Sequence, residues 1–205
     1  MTKDWTNVTL DEYMQICDLL TDGYDKEDLI MNEIQILYHT DPYKMPIPDF
    51  HKAVKELEFL PKDMPKMKVK DSYNLNGNVY YLHKSLSEFK MGQYVDFERI
   101  AKTEKGIDMY PDFIALFLTP EKDGDYGDGY DVEEVAKEIR KYMSVADAFS
   151  VANFFLRLSK AYTVRFLWYS MFKTTMTVKD RKRRREIWQK TRELMKTIIN
   201  GEVCL

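Results

Sequence analysis

Apolar residues recur at helical spacing along most of this chain. Near the N-terminus, Thr9 and Glu12 have the spacing of a capping box, in which a hydroxyl and a carboxylate satisfy backbone N–H groups at the start of a helix. The pattern predicts a helix from there to about Leu20, ended by Gly23. Further stretches with the same spacing predict helices at about 25–41, 48–60, 88–100, 108–118, 131–143 and 144–173.

One stretch changes its period. Met67–Lys70 alternates between apolar and charged residues, Asn76–Gly77 suits a tight hairpin turn, and Val79–Leu82 is rich in strand formers. We therefore predict a small β-hairpin at about 66–84. Because an isolated hairpin is only marginally stable, it must pack on the helices or pair with another element. An exposed edge would be a candidate site for strand addition by a partner, although simple packing is the favoured interpretation.

The predicted fold is mainly α, a single-domain helical bundle of about seven helices with one small β-hairpin. With 205 residues, 44% of them apolar and 14% aromatic, the chain can bury a substantial core. We predict that residues 1–173 form the helical core domain, with the hairpin as an insertion. Residues 174–205 are predicted to form a basic C-terminal helix, from about Val178 to Ile199, packed on the core or extending from it.

Charge is unevenly distributed along the chain. The net charge is -3, but Lys179–Lys196 holds nine basic and three acidic residues, a balance of +6 that leaves -9 for the rest. The favoured interpretation of this basic segment is a solvated helix face or a partner for the chain's own acidic loop. Binding to nucleic acid through phosphate neutralisation is less favoured, because no aromatic residues interleave with the arginines and no recognition motif accompanies them. The residues that could make electrostatic contacts with an acidic protein segment are Arg181, Arg183, Arg184 and Arg185.

Composition also bears on the compartment. The two cysteines, Cys17 and Cys204, form neither a CxxC motif nor a disulfide framework, which fits a reducing cytosol. The N-terminus has no basic region followed by an apolar run, so we expect no secretion signal. The longest apolar stretch, Val151–Phe172, is interrupted by basic residues that are costly near a bilayer centre. We expect a soluble protein with no membrane partner.

The acidic, glycine-rich loop at 121–131 is the strongest candidate for a metal site. If Asp123 were the first ligand of an EF-hand, Gly127 would be the fifth position and Asp128 would replace the required glycine at the sixth, although Glu134 does fall at the twelfth. No phosphate-binding glycine motif is present either, and the negative charge of the loop would repel phosphate. We therefore expect no bound metal and no cofactor.

The sequence predicts no enzyme. His39, His51 and His83 lie in separate predicted elements and share no ligand spacing such as HExxH. Carboxylates are so abundant that some pair will lie at a catalytic distance by chance, so their presence indicates no reaction. The prediction is a protein that binds other proteins.

A series of short motifs runs through the middle of the chain. The motifs are Gln93–Phe97, Leu116–Pro120, Gly129–Val135, Ala148–Phe149 and Phe154–Phe155, preceded by Phe59–Pro61 and by the predicted hairpin around Asn76–Gly77. Their order resembles that of tail-assembly chaperones of tailed phages, in particular phages of Bacteroides-type hosts. The resemblance covers about residues 10 to 172, and its motifs are structural rather than chemical.

This resemblance implies a non-catalytic phage protein, made in the host cytoplasm, that holds the tape-measure protein while tail-tube subunits polymerise around it. Shielding a long helical client needs exposed apolar surface and usually several copies, so a homo-oligomer is expected. The alternative is a structural virion component, such as a connector, tail-completion or internal cargo protein. A nucleic-acid-binding accessory protein ranks below both. The expected protein-binding residues are Tyr94, Phe97, Phe154, Phe155 and Trp188.

Overall fold

The chain divides into two compact units, Met1–Ala152 and Asn153–Leu205. The structure, a computed structural model, describes residues 3–85, 90–103, 106–120, 126, 130–155, 157–158 and 181–200. The predicted boundary between a core domain and a C-terminal helix, after residue 173, lies outside the described residues. It therefore stays a prediction.

Helices make up most of the described residues, and the predicted mainly α fold is confirmed. The α-helices are α1 Leu10–Asp22, α2 Lys26–Tyr38, α3 Ile47–Glu56, α4 Met91–Thr103, α5 Tyr110–Ala115, α6 Val132–Tyr142, α7 at residues 145–155 and α8 Arg181–Asn200. Short 3₁₀ turns lie at Pro42–Lys44, Leu57–Phe59 and Gly106–Met109. The predicted continuation of α7 to residue 173 falls outside the described residues.

The predicted helix starts are confirmed by their caps. The Glu12 N–H donates to Thr9 Oγ1 over 3.2 Å, and the Thr9 N–H donates to Glu12 Oε2 over 2.8 Å, which completes the capping box of α1. Gly23 ends this helix in the left-handed conformation, with φ of 75°. Asp25 and Asp131 accept hydrogen bonds from the first turns of α2 and α6 in the same way.

The predicted hairpin around Asn76–Gly77 is confirmed and is part of a larger sheet, but the position predicted for its first strand is wrong. The alternating stretch Met67–Lys70 belongs to no strand, because only Ser72–Leu75 lies opposite Asn78–Leu82. Strands β1 (Ser72–Leu75) and β2 (Asn78–Leu82) are antiparallel, and Asn76 and Gly77 between them have φ of 53° and 89°. A third strand, β3 (Leu118–Thr119), pairs antiparallel with β2, so the strand order is β1-β2-β3. This third strand supplies the additional pairing that an isolated hairpin lacks.

The C-terminal end of the predicted helix 108–118 is wrong. Helix α5 ends at Ala115, and Leu118–Thr119 is a strand. Every residue from Phe113 to Thr119 is buried. A continuous apolar run of this kind has no period that distinguishes a buried strand from a buried helix, so the pattern cannot show where the helix stops.

The core of the first unit lies where α6 packs against α5 and α1. The apolar side of α6 faces inward and its charged side faces solvent, as the sequence pattern predicts. The largest fully buried side chains of this unit come from nearly every element: Val8, Leu10, Ile34, Leu37, Leu75, Ile114, Leu116, Leu118, Ile139, Met143 and Val145. An aromatic cluster joins the N-terminal segment to this core, because Tyr13 makes edge contacts with both Trp5 and Phe149.

Glu33 is a buried carboxyl group in α2. It is 9% exposed, and desolvation raises its pKa above the ordinary value of 4.5. The folded protein therefore holds this proton more tightly than the unfolded chain does. It follows that stability falls as the pH rises from the ordinary pKa through the raised pKa, because the carboxyl then ionises in the folded protein.

We expect Glu33→Gln to raise the melting temperature at neutral pH by about 2–4 °C, which corresponds to about 1 kcal/mol for a chain of this size. The gain should vanish in acid, where the carboxyl is protonated in both states. Thermal unfolding followed by circular dichroism from about pH 3 to about pH 7 measures this. Glu27→Gln, at an exposed position of the same helix, is the matched control and should give no gain. Identical pH profiles for Glu33→Gln and the unsubstituted protein would contradict the prediction.

Candidate protein-binding surface

The outward side of α4 carries large apolar side chains. Met91 is 72% exposed, Tyr94 45% and Val95 55%. Their spacing of i, i+3 and i+4 makes them neighbours on one side of the helix. We call these three residues the α4 stripe. Single exposed apolar residues are ordinary, but a contiguous group of them is typical of an interaction site.

Gln93 and two apolar residues fix the orientation of α4. Gln93 is 7% exposed, accepts a hydrogen bond from the Lys90 N–H over 2.8 Å, and donates from Nε2 to the Leu116 carbonyl over 2.6 Å. On the same inward side, Ile100 is buried, and the ring of Phe97 lies 5.9 Å from the ring of Phe113. These contacts hold α4 against the core so that the α4 stripe faces solvent.

A charged pair lies directly beyond the α4 stripe. The Tyr94 hydroxyl donates to Glu98 Oε1 over 2.8 Å, and Lys102 Nζ donates to Glu98 Oε2 over 3.2 Å. The bond from Tyr94 lowers the pKa of the Glu98 carboxyl, with a further contribution from Lys102, and the same bond raises the pKa of the Tyr94 hydroxyl. Glu98 therefore stays ionised at neutral pH, and the apolar surface ends at a fixed negative charge.

Tyr126, within the glycine-rich loop, is anchored on α4. Its hydroxyl donates to Asp96, and its ring lies against Gly92, where an added Cβ would be 3.6 Å from the ring. Burial, followed by the bond to Asp96, raises the pKa of the Tyr126 hydroxyl, which therefore remains a donor. Arg99 Nη atoms lie 3.5 Å from Asp96 and 3.6 Å from Glu133, around an open depression of about 460 Å³. Tyr126 is thus tied to the helix that carries the α4 stripe.

A second concavity, of about 590 Å³, is lined by residues of α1, α2 and the end of α6. Glu12, 5% exposed, lies on its wall. One carboxylate oxygen accepts from Lys3 Nζ and pairs with His39 Nε2, both at 3.2 Å, and the other accepts from the Thr9 N–H. Because these protein groups already occupy the carboxylate, its role is to hold α1 and α2 together, and we assign no ligand to this concavity.

The histidines lie apart from one another, as the sequence predicts. His39 pairs with Glu12, His83 Nε2 is 2.7 Å from Thr119 Oγ1, and the ring of His51 is 6.2 Å from that of Phe50. In the part of the chain that the structure describes, no three His, Cys, Asp or Glu side chains are grouped so that they could hold a metal ion. Within the same residues, no helix combines the length and the apolar character needed to cross a bilayer.

The predicted protein-binding residues lie in different environments. Tyr94 belongs to the α4 stripe, whereas Phe97 is on the inward side of the same helix. Phe154 is partly exposed and Phe155 is 1% exposed, with their rings 5.1 Å apart. Trp188 is 44% exposed on α8. The structure thus places Tyr94 on an exposed apolar surface, leaves Phe97 and Phe154 partly buried, and buries Phe155.

The basic residues of α8 give less information. Arg183 is exposed, and the side chains of Arg181, Arg184 and Arg185 lie outside the described residues. Their predicted electrostatic contact stays a prediction.

Met91 and Val95 are not among the binding residues predicted from the sequence. The helical spacing shows that they are apolar members of the predicted helix, but not that they face solvent. The signal that could identify them is their position: Met91, Tyr94 and Val95 lie on one side of a helical projection, and Gln93, Phe97 and Ile100 on another. A helix with two apolar sides buries only one of them when it packs against a single core.

Comparison of the chain with protein-family models, curated proteins and solved structures finds no match. The α4 stripe and the order of the sequence motifs are therefore the features of this chain that bear on its function.

Proposed function

We propose that this protein is a non-catalytic, protein-binding module of a tailed phage, which acts in the host cytoplasm as a tail-assembly chaperone and holds the tape-measure protein. The observation that carries the proposal is the α4 stripe, a contiguous apolar surface on a helix that is firmly attached to the core. A helical client presents apolar side chains at i, i+3, i+4 and i+7, and a stripe of this kind can cover them.

The chemistry of the α4 stripe suits an amphipathic client. Met91 is unbranched and polarisable, so it can adapt to side chains of different shape. Tyr94 combines an apolar ring with a hydroxyl that is already satisfied by Glu98. Glu98 and Lys102, at the end of the stripe, are placed to meet the polar side of a bound helix. The surface can thus cover apolar side chains without requiring one exact sequence.

The small size of the α4 stripe favours weak, repeated binding. Three side chains cover far less than the roughly 1,000 Å² that a specific, stable interface buries. Several copies bound along one long client would gain affinity through their high local concentration. Weak individual contacts also suit a chaperone, because its client must be released when the tube closes around it.

Coexpression with the tape-measure protein encoded by the same phage tests the proposal. We expect the unsubstituted protein to keep this client soluble and to copurify with it. The double substitution Met91→Asp and Val95→Asp should reduce copurification by roughly tenfold or more, because it places two charges in the contact. Both side chains are exposed, so the fold should be preserved, and circular dichroism verifies this.

A matched control removes a comparable amount of exposed apolar surface elsewhere. Tyr43 is 79% exposed and Ile47 73%, so Tyr43→Asp combined with Ile47→Asp should leave copurification unchanged. An insoluble client, or equal copurification by both double variants, would reject the proposal. Mass spectrometry of purified phage particles separates it from the alternative, because stoichiometric amounts of the protein there would indicate a structural virion component.

A further inference from the structure

The C-terminal part of α1 carries two exposed negative charges. Asp18 and Asp22 are four residues apart, so they lie on the same side of the helix. Like charges at this spacing repel each other, and Asp22 also lies at the negative end of the helix dipole. Neither carboxylate forms a hydrogen bond or an ion pair with any residue that the structure describes. The two aspartates therefore destabilise the helix that carries them.

The segment that joins α1 to α2 is exposed, acidic and partly apolar. Every residue from 20 to 28 is exposed, and this segment holds four acidic residues and one basic residue, a balance of -3. Leu20 is 61% exposed, and Tyr24, which follows Gly23, is 47% exposed. We call Asp18 and residues 20–28 the acidic tip. Exposed apolar side chains within a surface of one charge suit a partner that combines apolar groups with the opposite charge.

Helix α8 has this complementary chemistry. Its 20 residues include eight basic and two acidic ones, a balance of +6. Arg192 and Lys196 are four residues apart, both are exposed, and neither side chain is hydrogen-bonded or ion-paired within the described part of the chain. Trp188, one turn before Arg192, is 44% exposed. Helix α8 thus carries two positive charges and a large ring on one side.

We propose that α8 of a second copy binds the acidic tip, with its axis antiparallel to that of α1. Arg192 then faces Asp22 and Lys196 faces Asp18, because the members of each pair are one helical turn apart. Exposed ion pairs contribute little individually, so the association is weak and depends on ionic strength. The two surfaces differ, so the interface is heterologous, and each copy can bind the next through its own α8.

The position of Trp188 selects the antiparallel orientation. In this orientation Trp188 lies one turn beyond Asp22, past the end of α1, where the ring of Tyr24 is exposed. In a parallel orientation Trp188 would instead lie one turn before Asp18, at Met14, which is 2% exposed and already covered by the core. Only the antiparallel orientation therefore brings the ring of Trp188 onto accessible apolar surface.

Charge reversal in the full-length protein tests this interface. At low ionic strength, the mass of the unsubstituted protein should rise with concentration, up to about 1 mM, in analytical ultracentrifugation. Asp18→Lys with Asp22→Lys should weaken association by roughly tenfold or more, and so should Arg192→Glu with Lys196→Glu, because like charges then face each other. An equimolar mixture of the two variants should regain association, since each reversed surface then meets its opposite. Mixing could not restore a contact made within a single molecule.

The variant of α1 should also change the stability of the monomer, in the opposite direction. Lysine at position 22 meets the negative end of the helix dipole, so Asp18→Lys with Asp22→Lys should raise the melting temperature by about 1–4 °C. Thermal unfolding followed by circular dichroism, at a concentration where the protein is monomeric, measures this. Weaker association in a more stable variant cannot result from a damaged fold. A variant that lost both stability and association would contradict the proposal.

The control is Glu58→Lys with Asp63→Lys, which makes the same change in net charge at exposed positions outside the acidic tip and should associate like the unsubstituted protein. A monomer at every concentration would overturn the proposal. So would a mixture of the two reversed variants that stays dissociated, or an equal loss of association in the control. None of these measurements involves the tape-measure protein, so the result is independent of the proposed chaperone function.

Discussion

Replacing Ile139 by alanine should lower the free energy of unfolding by about 2–5 kcal/mol. The Ile139 side chain is 0% exposed and lies on the inward side of α6, the helix that packs against both α5 and α1. The substitution removes apolar atoms from a site with contacts on several sides, and the surrounding helices can close only part of the space. Urea denaturation followed by circular dichroism measures the change in stability.

Lys137→Ala is the matched control for this experiment. Lys137 is exposed on the same helix, so its truncation leaves no cavity and should change stability by less than about 0.5 kcal/mol. Both variants end in alanine, the best helix former, so a loss of helix propensity can explain neither result. If Ile139→Ala cost as little as Lys137→Ala, the packing of α6 described above would be wrong.

The elements that sequence predicts well are those specified by local chemistry. The capping box of α1 requires only Thr9 and Glu12, which are close in sequence, and α6 requires only Asp131 and an apolar side with helical repeat. The hairpin turn likewise needs only Asn76 and Gly77 with positive φ. Each of these signals lies within a few residues of the structure that it specifies.

Strand β3 depends on a distant partner instead. Leu118 and Thr119 form a strand because Tyr81 and Leu82 of β2 lie beside them, and these two pairs of residues are far apart in the sequence. Nothing in the local pattern separates these residues from the buried helix that precedes them. Burial of the whole stretch removes the polar positions from which a period could be read.

The orientation of the candidate binding surface also depends on residues that are distant in the sequence. The sequence predicts that Tyr94 and Phe97 lie on one helix, but the direction in which that helix faces is set by the bond between Gln93 and the Leu116 carbonyl. A glutamine near the start of a helix is usually exposed, so its burial here could not be inferred from residue type. The α4 stripe is therefore a consequence of tertiary packing, and only its apolar composition is visible in the sequence.

Replacing Gln93 by alanine should cost about 1–3 kcal/mol, because it removes the Nε2 donor of the hydrogen bond to the carbonyl of the buried Leu116. The loss should be concentrated in α4, so amide hydrogen exchange measured by mass spectrometry should become faster there than in α1. Gln15→Ala, which removes an exposed glutamine bonded to Asp11 over 2.9 Å, should leave exchange nearly unchanged. Unchanged exchange in α4 of the Gln93 variant would contradict this description of the helix.

The Gln93→Ala variant also tests whether client binding requires α4 to be held against the core, in addition to the apolar residues of the α4 stripe. Gln93→Ala leaves Met91, Tyr94 and Val95 in place, and Gln93 is buried, so it is not available to a client. If the tape-measure protein binds this surface, weaker attachment of α4 should reduce copurification even under conditions in which the rest of the fold remains intact. The reason is that ordering a loosened helix on binding costs free energy that the attached helix does not lose. Full retention of the client by a variant with a loosened α4 would show that the client binds elsewhere on the protein.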